Sequence, residues 1–225
     1  PYSLPFHESF SNGQAHYGMW WFDYGNQSNG WYLNGSLSAD DDGGSVYWYD
    51  RTGAEDAYCT MSTGKINVTG ATKPVLEFSY YYNGGNFKID VTCENSTQSN
   101  TLVKEINFAQ EPNPSQFGWR TVFVDLTPEL AKATAANPYF VLHFTEHAIS
   151  QENVMCLIDN INVRDEQADN LSVRLNAPSR LHLSDKGTVT AYVKNIGSDA
   201  ANDVTVRLLA SGRQVGSKKV SVASH

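Results

Sequence analysis

Val75-Leu76-Glu77-Phe78-Ser79-Tyr80-Tyr81-Tyr82, then Asn83-Gly84-Gly85-Asn86, then Phe87-Lys88-Ile89-Asp90-Val91-Thr92-Cys93 is the stretch on which the reading of the fold turns. The first run is β-branched and aromatic, and the last alternates apolar and polar residues with the period of two that a half-buried strand requires. A four-residue turn signal rich in Asn and Gly lies between them, so the stretch predicts a β-hairpin. Tyr80, Tyr81 and Tyr82 must alternate between faces, which sends at least one ring outward.

Working outward, strand patterns recur at 121–126, 139–144 and 155–163, the last two rich enough in Val, Leu, Ile and Phe to be buried in a sandwich. One helix interrupts them. Thr127 offers an N-cap, Pro128 suits the first position and Glu129 the positive end, and the Ala-rich run 130–136 ends at Asn137-Pro138. Residues 11–63 mix Gly, Asn, Ser and Asp with Trp and Tyr, which fits short strands joined by long loops. The composition agrees with an all-β chain: 40% of the 225 residues are hydrophobic, 12% are aromatic and only 18% are charged.

Charge divides the chain. Residues 169–225 hold eight Lys and Arg against four Asp and Glu, which leaves eight against twenty in 1–168, so the two parts carry +4 and −12. With the polar, aperiodic run Arg164-Asp165-Glu166-Gln167-Ala168-Asp169, that step predicts two domains, 1–165 and 169–225. The second part reads as strands at 171–175, 188–194, 204–209 and 214–222. Its 57 residues are fewer than the roughly 100 of a complete immunoglobulin-like sandwich, so it is expected to be truncated. No basic cluster marks a nucleic-acid surface, and no apolar run approaches the roughly 18 residues of a membrane span. The opening Pro1-Tyr2-Ser3-Leu4-Pro5 is not a signal peptide. Cys59, Cys93 and Cys156 are odd in number and lack the paired spacings of zinc sites or of a disulfide framework, so at most one bridge is expected.

Several short motifs bear on chemistry. His143-Phe144-Thr145-Glu146-His147 has the spacing of an inverzincin protease. Two His four apart share a metal only on a helix, where they sit about 6 Å apart, whereas a strand separates them by about 13 Å. The preceding Tyr139-Phe140-Val141-Leu142 is β-forming, so both His are expected on a strand face. Asp40-Asp41-Asp42-Gly43-Gly44 resembles the start of a calcium loop, but the twelfth position is Arg51 where an EF-hand needs Glu. The adjacent acidic pairs Glu55-Asp56 and Asp165-Glu166 would point to opposite sides of an extended chain, unlike the facing carboxylates of a glycosidase. No nucleophile elbow and no phosphate loop is present. The chain is therefore expected not to be an enzyme.

Aromatic residues supply the binding chemistry. Trp20, Tyr24, Trp31, Tyr32 and Trp48 lie among Asp, Asn and Gln, the combination that stacks on sugar rings and bonds their hydroxyls. Trp21, Trp31 and Trp48 read equally well as core residues, and Tyr and Trp also dominate protein interfaces.

Four segments carry a family resemblance. Leu4-Pro5-Phe6-His7-Glu8-Ser9-Phe10, Thr63-Gly64-Lys65-Ile66-Asn67-Val68-Thr69-Gly70 leading into Val75, Trp119 before Val124-Asp125-Leu126, and Leu157-Ile158-Asp159-Asn160-Ile161-Asn162-Val163 together resemble the cleaved-adhesin or choice-of-anchor J domains of Bacteroidetes surface proteins. The likeness covers about 4–164, although the Trp- and Asp-rich stretch after the first strand diverges. It implies a MAM-like jelly-roll sandwich, secretion or attachment to the cell surface, and a role in adhesion. Val193-Lys194-Asn195-Ile196-Gly197 and its surroundings resemble the first half of a CARDB-type immunoglobulin-like domain. The pairing implies a non-catalytic module whose partner is a glycan or an extracellular protein, or else an accessory pair of a secreted peptidase. The resemblance further implies structural calcium, with Glu8 on the first strand and Asp159 on the last as carried-over ligands and Asp40 and Asp42 as secondary ones. The same carboxylates read equally well as solvated turn and surface groups.

Overall fold

The computed structural model describes residues 1–18, 20–23, 30–50, 58–83, 87–110, 118–148, 154–166, 171–176, 188–197, 199–210 and 212–224. They form seventeen strands and one short α-helix: β1 (Tyr2–Ser3), β2 (Phe6–Glu8), β3 (Trp21–Asp23), β4 (Trp31–Asn34), β5 (Ser45–Asp50), β6 (Tyr58–Ser62), β7 (Ile66–Asn67), β8 (Pro74–Tyr82), β9 (Phe87–Asn95), β10 (Asn100–Asn107), β11 (Arg120–Asp125), α1 (Thr127–Leu130), β12 (Tyr139–Ala148), β13 (Val154–Asp165), β14 (Leu171–Asn176), β15 (Thr190–Asn195), β16 (Ala201–Ala210) and β17 (Arg213–Val222). The chain separates into two compact units, Pro1–Asp165 and Glu166–His225.

The first unit is a jelly-roll β-sandwich. Its first sheet runs β10-β9-β12, with β6 and β7 sharing the far edge of β12, then β3 beside β6 and β1 beside β7. The second runs β11-β8-β13, with β5 and β2 sharing the far edge of β13, then β4. The pairs are antiparallel except β1 with β7. Phe78 of the second sheet meets Phe144 of the first edge-on at 5.3 Å, and Trp48 meets Phe87 at 5.7 Å, so the two inner faces share one core.

The predicted hairpin is not formed. β8 pairs with β11 and β13, while β9 pairs with β10 and β12 in the other sheet. β8 and β9 therefore lie in different layers. Both strands are too apolar to lie at an edge, and each gains two neighbours by parting from the other. The alternation itself holds: Phe87, Ile89, Val91 and Cys93 are buried, and Tyr80 and Tyr82 point inward. Tyr81 points outward against Trp119, with ring centroids 5.9 Å apart.

β13 breaks its alternation once. Ile158, Ile161 and Val163 all face the core, which strict alternation would forbid because Ile158 and Ile161 are three apart. A register shift between Asp159 and Asn162, with Asn160 at φ 53°, inserts the needed residue and swings Asp159 toward the loop joining β4 to β5. α1 is far shorter than predicted. Its N-cap position is Leu126, preceded by Asp125, which accepts from Thr127 N at 2.9 Å, and the chain turns away after Leu130 to reach β12. Cys59, Cys93 and Cys156 are buried and form no disulfide.

Among the described residues the second unit holds two antiparallel strand pairs, β14-β15 and β16-β17. Asn195 ties them together, its Nδ2 donating to Asp199 O at 2.6 Å and to Val222 O at 3.3 Å.

Candidate functional site

Two places in the first unit gather polar chemistry. The first is the β4–β5 loop. Asp159 accepts from Ala39 N and Asn160 N, both at 2.7 Å. Asp42 accepts from Gly44 N at 3.1 Å, and Asp40 accepts from Asp42 N at 3.3 Å. These turns hold carboxylate oxygens of Asp40, Asp42 and Asp159 within 4.8 Å of one another. Gly44 is essential to the approach, because a Cβ there would lie 1.7 Å from Phe10 O. Burial pushes the Asp159 carboxyl up to about 7, against the two amide donors and helped by the neighbouring Asp40 and Asp42 charges. Burial also raises Asp42. Three crowded carboxylates, one inaccessible to water, form the oxygen-rich donor set that suits a hard divalent cation.

Glu8 does not join this group. It is wholly buried and saturated by five donors: Phe10 N (2.9 Å), His16 N (2.8 Å), His16 Nδ1 (2.9 Å), Tyr17 N (3.1 Å) and Trp20 Nε1 (3.1 Å). Its work is to pin residues 10–20 onto β2.

The second place is the outer face of the first sheet. Register sets Trp21, Ser62, His143, Thr92 and Leu102 in one row across β3, β6, β12, β9 and β10. The parallel row two residues along holds Asp23, Thr60, Thr145, Asp90 and Glu105. Ser62 Oγ and His143 Nδ1 are 2.7 Å apart, His143 Nε2 lies 3.4 Å from Glu94, and Thr60 bonds Thr145 at 2.9 Å. His147 Nε2 lies 3.4 Å from Asp90. Burial lowers both His below their ordinary 6.5 although carboxylates oppose the shift, so at neutral pH they are uncharged hydrogen-bonding groups. A cleft of about 810 Å³ opens beside this row, bordered by Tyr2, Trp20, Trp21, Ser62, Lys65 and His143. Its volume is within the range of about 300–1,000 Å³ common to small-ligand sites.

The aromatic candidates separate sharply. Trp31 and Trp48 are 3% and 0% exposed, so the expectation that they touch a ligand is corrected: β4 and β5 turn both rings into the core. Tyr32 faces outward on the second sheet and packs on Tyr47 at 5.6 Å, away from the cleft. Trp20 is half-buried between Phe10 and the cleft, its indole N–H spent on Glu8. Tyr24 lies outside the described residues, as do Glu55 and Asp56. Trp21, read as a core candidate, is 69% exposed at the cleft rim. The alternation of Trp20-Trp21-Phe22-Asp23 was the available signal, since only one of two adjacent Trp on a strand can face inward.

His143 and His147 stand on one face of a strand with Thr145 between them, so the protease motif is a coincidence of spacing. Among the described residues the one group of three or more His, Cys, Asp or Glu side chains close enough to share a metal is Asp40, Asp42 and Asp159. Among them, too, no helix is long and apolar enough to cross a membrane.

The first unit is thus a two-sheet jelly roll that presents polar and aromatic side chains on an outer face. The sequence matches no described protein family and no curated protein. Solved structures do match. The K1 cleaved adhesin domain of Lys-gingipain from Porphyromonas gingivalis W83 superposes with a TM-score of 0.51 at 16% identity, over 73% of this chain and 99% of that one. The carbohydrate-binding module TmCBM61, solved with β-1,4-galactotriose, gives 0.50 at 10% identity over 71% and 95%. A carbohydrate-binding module of the β-sandwich superfamily with promiscuous specificity gives 0.51 at 9% identity, over 69% of this chain and 60% of that one. At these identities the likeness establishes a shared fold.

Proposed function

We propose that the chain is a non-catalytic, extracellular binding segment of a bacterial surface protein, and that its first unit recognises glycan through the cleft on the outer face of the first sheet. The observation that carries this reading is Trp21, an indole left 69% exposed on a strand beside a fixed Ser62–His143 pair. An exposed ring offers stacking area to the apolar face of a sugar, and the adjoining hydroxyl and imidazole offer bonds to its hydroxyls. A calcium ion held by Asp40, Asp42 and Asp159 would be structural, tying the β4–β5 loop to β13. The carboxylate geometry supports that role.

A second reading, an accessory pair of a secreted peptidase, draws on the likeness to a domain of Lys-gingipain. It concerns the parent protein and leaves the chemistry of this segment unchanged. A glycan array probed with the whole chain and with Trp21→Ala tests the proposal. Binding lost in the variant supports it; binding by neither, or equal binding by both, overturns it.

A further inference from the structure

The cleft differs in charge from the unit that carries it. Residues 1–168 contain twenty Asp and Glu against eight Lys and Arg. Yet among the described residues that line the cleft there is no carboxylate, and Lys65 is the one permanent side-chain cation. Lys65 is exposed, while its backbone is clamped by Tyr2 N, which donates to Lys65 O at 2.7 Å. Its Nζ lies 4.3 Å from the centroid of the Tyr139 ring, which is 5% exposed and stands on the same face of β12 as His143. An aromatic face keeps the ammonium oriented without neutralising it.

Neither of the nearest acids lines the cleft: Glu94 lies 3.4 Å from His143 and in register with Val141, and Asp23 is on β3 two residues beyond Trp21. Two other lysines of this unit show the contrast: Lys88 pairs with Asp90 and Glu105 at 3.1 Å, and Lys132 pairs with Glu129 at 2.7 Å. A cation held in an acid-free cleft of a strongly acidic unit is complementary to a negative group on the ligand.

We infer that the cleft takes a carboxylated sugar, its ring laid on Trp21 and its carboxylate met by Lys65. This rests on the glycan reading above and narrows it to one class. Uronic acids and sialic acids share the chemistry, and the comparison of ligands separates them. A charge-assisted bond from an ammonium to a carboxylate is stronger than the bond a neutral hydroxyl would make, and here it should be worth about tenfold to a hundredfold in affinity.

The test is calorimetric titration of the whole chain with galacturonate trisaccharide, with the uncharged galactose trisaccharide of the same linkage and with sialyllactose, at about 50 and about 300 mM salt. One or both acidic sugars should bind at least about tenfold more tightly than the neutral one at low salt and lose most of that advantage at high salt. Lys65→Met should reduce the acidic sugar to the neutral level, while Lys104→Met, an exposed change on β10, should not. Equal binding of neutral and acidic trisaccharides, or an acid preference that survives Lys65→Met, overturns the inference and leaves the glycan reading intact. Failure of every saccharide, or binding indifferent to Trp21→Ala, overturns the glycan reading itself. Lys65 is exposed, so circular dichroism of Lys65→Met should match the parent and exclude misfolding as the cause.

Discussion

Raising the pH through neutrality in calcium-free buffer should loosen the first unit, and Asp159 is the group responsible. Its carboxyl is buried beside Asp40 and Asp42 and holds its proton up to about 7, against an ordinary 3.8. Folding therefore takes up a proton between those values, and stability falls as the pH rises from about 4 to 7. At about 1.4 kcal/mol per pH unit the full shift corresponds to roughly 4 kcal/mol. Water entering beside the loop as the charge forms screens part of this, so a loss of roughly 2–4 kcal/mol is expected, equivalent to roughly 5–15 °C in melting temperature. His143 and His147 act in the opposite sense. Their lowered values make the folded state reject protons, so they weaken the fold as the pH drops below 6.5. Asp159→Asn isolates the carboxyl. The amide oxygen keeps one of the two backbone N–H donors, and the NH₂ faces the other at a cost that does not vary with pH. Differential scanning calorimetry at pH about 5 and about 8, with chelator and with millimolar calcium, reads the effect. The parent should melt lower at the higher pH, Asp159→Asn should lose that fall, and calcium should restore the parent alone. A parent and variant with the same pH slope in chelator would refute the reasoning.

Glu8→Gln should destabilise the first unit by roughly 2–4 kcal/mol in urea unfolding, because an amide NH₂ would face donors that now meet an oxygen; an unchanged midpoint would contradict the five-donor cage. Trp48→Ala should cost roughly 3–5 kcal/mol through the cavity it leaves, whereas Trp21→Ala should change stability by less than about 0.5 kcal/mol, a contrast that denaturation followed by circular dichroism resolves. Burial pushes the Cys93 thiol up to about 12 and raises Cys156 well above its ordinary value. Native protein at mildly alkaline pH should therefore resist iodoacetamide, and all three cysteines should react once urea unfolds it; rapid native adducts on Cys93 in intact-mass spectra would count against its burial.

Strands with continuous apolar runs were legible without the structure, since β12 and β13 have nowhere to go but the centre of a sheet. Pairing was not legible. The Asn83–Asn86 stretch has the composition of a tight turn, but composition cannot say whether the next strand returns beside the last or crosses to the facing layer. α1 was overestimated because Ala propensity at 131–136 yields to the need to deliver Tyr139 to the first sheet. Asp40 and Asp42 could be read from the loop, and Asp159 joins them through a bulge whose trace was visible in the three-residue spacing of Ile158 and Ile161. Glu8 was misjudged because three of its five partners are backbone amides, in a segment with left-handed conformations at Phe10 and Asn12 that no side-chain pattern announces. Sorting Trp21 from Trp48 required register: β5 is an inner strand and β3 an outermost one, so similar residues meet opposite surroundings.

The pairing of β2 with β13 has a mechanical consequence. Phe6 lies opposite Val163 and Glu8 opposite Ile161, so the chain enters and leaves this sheet at the same end of an antiparallel pair. Tension drawn along the polypeptide would peel these two strands apart one hydrogen bond at a time instead of shearing all of them together. A pair arranged this way yields gradually under pull, and the cage around Glu8 is a barrier the peeling front would meet.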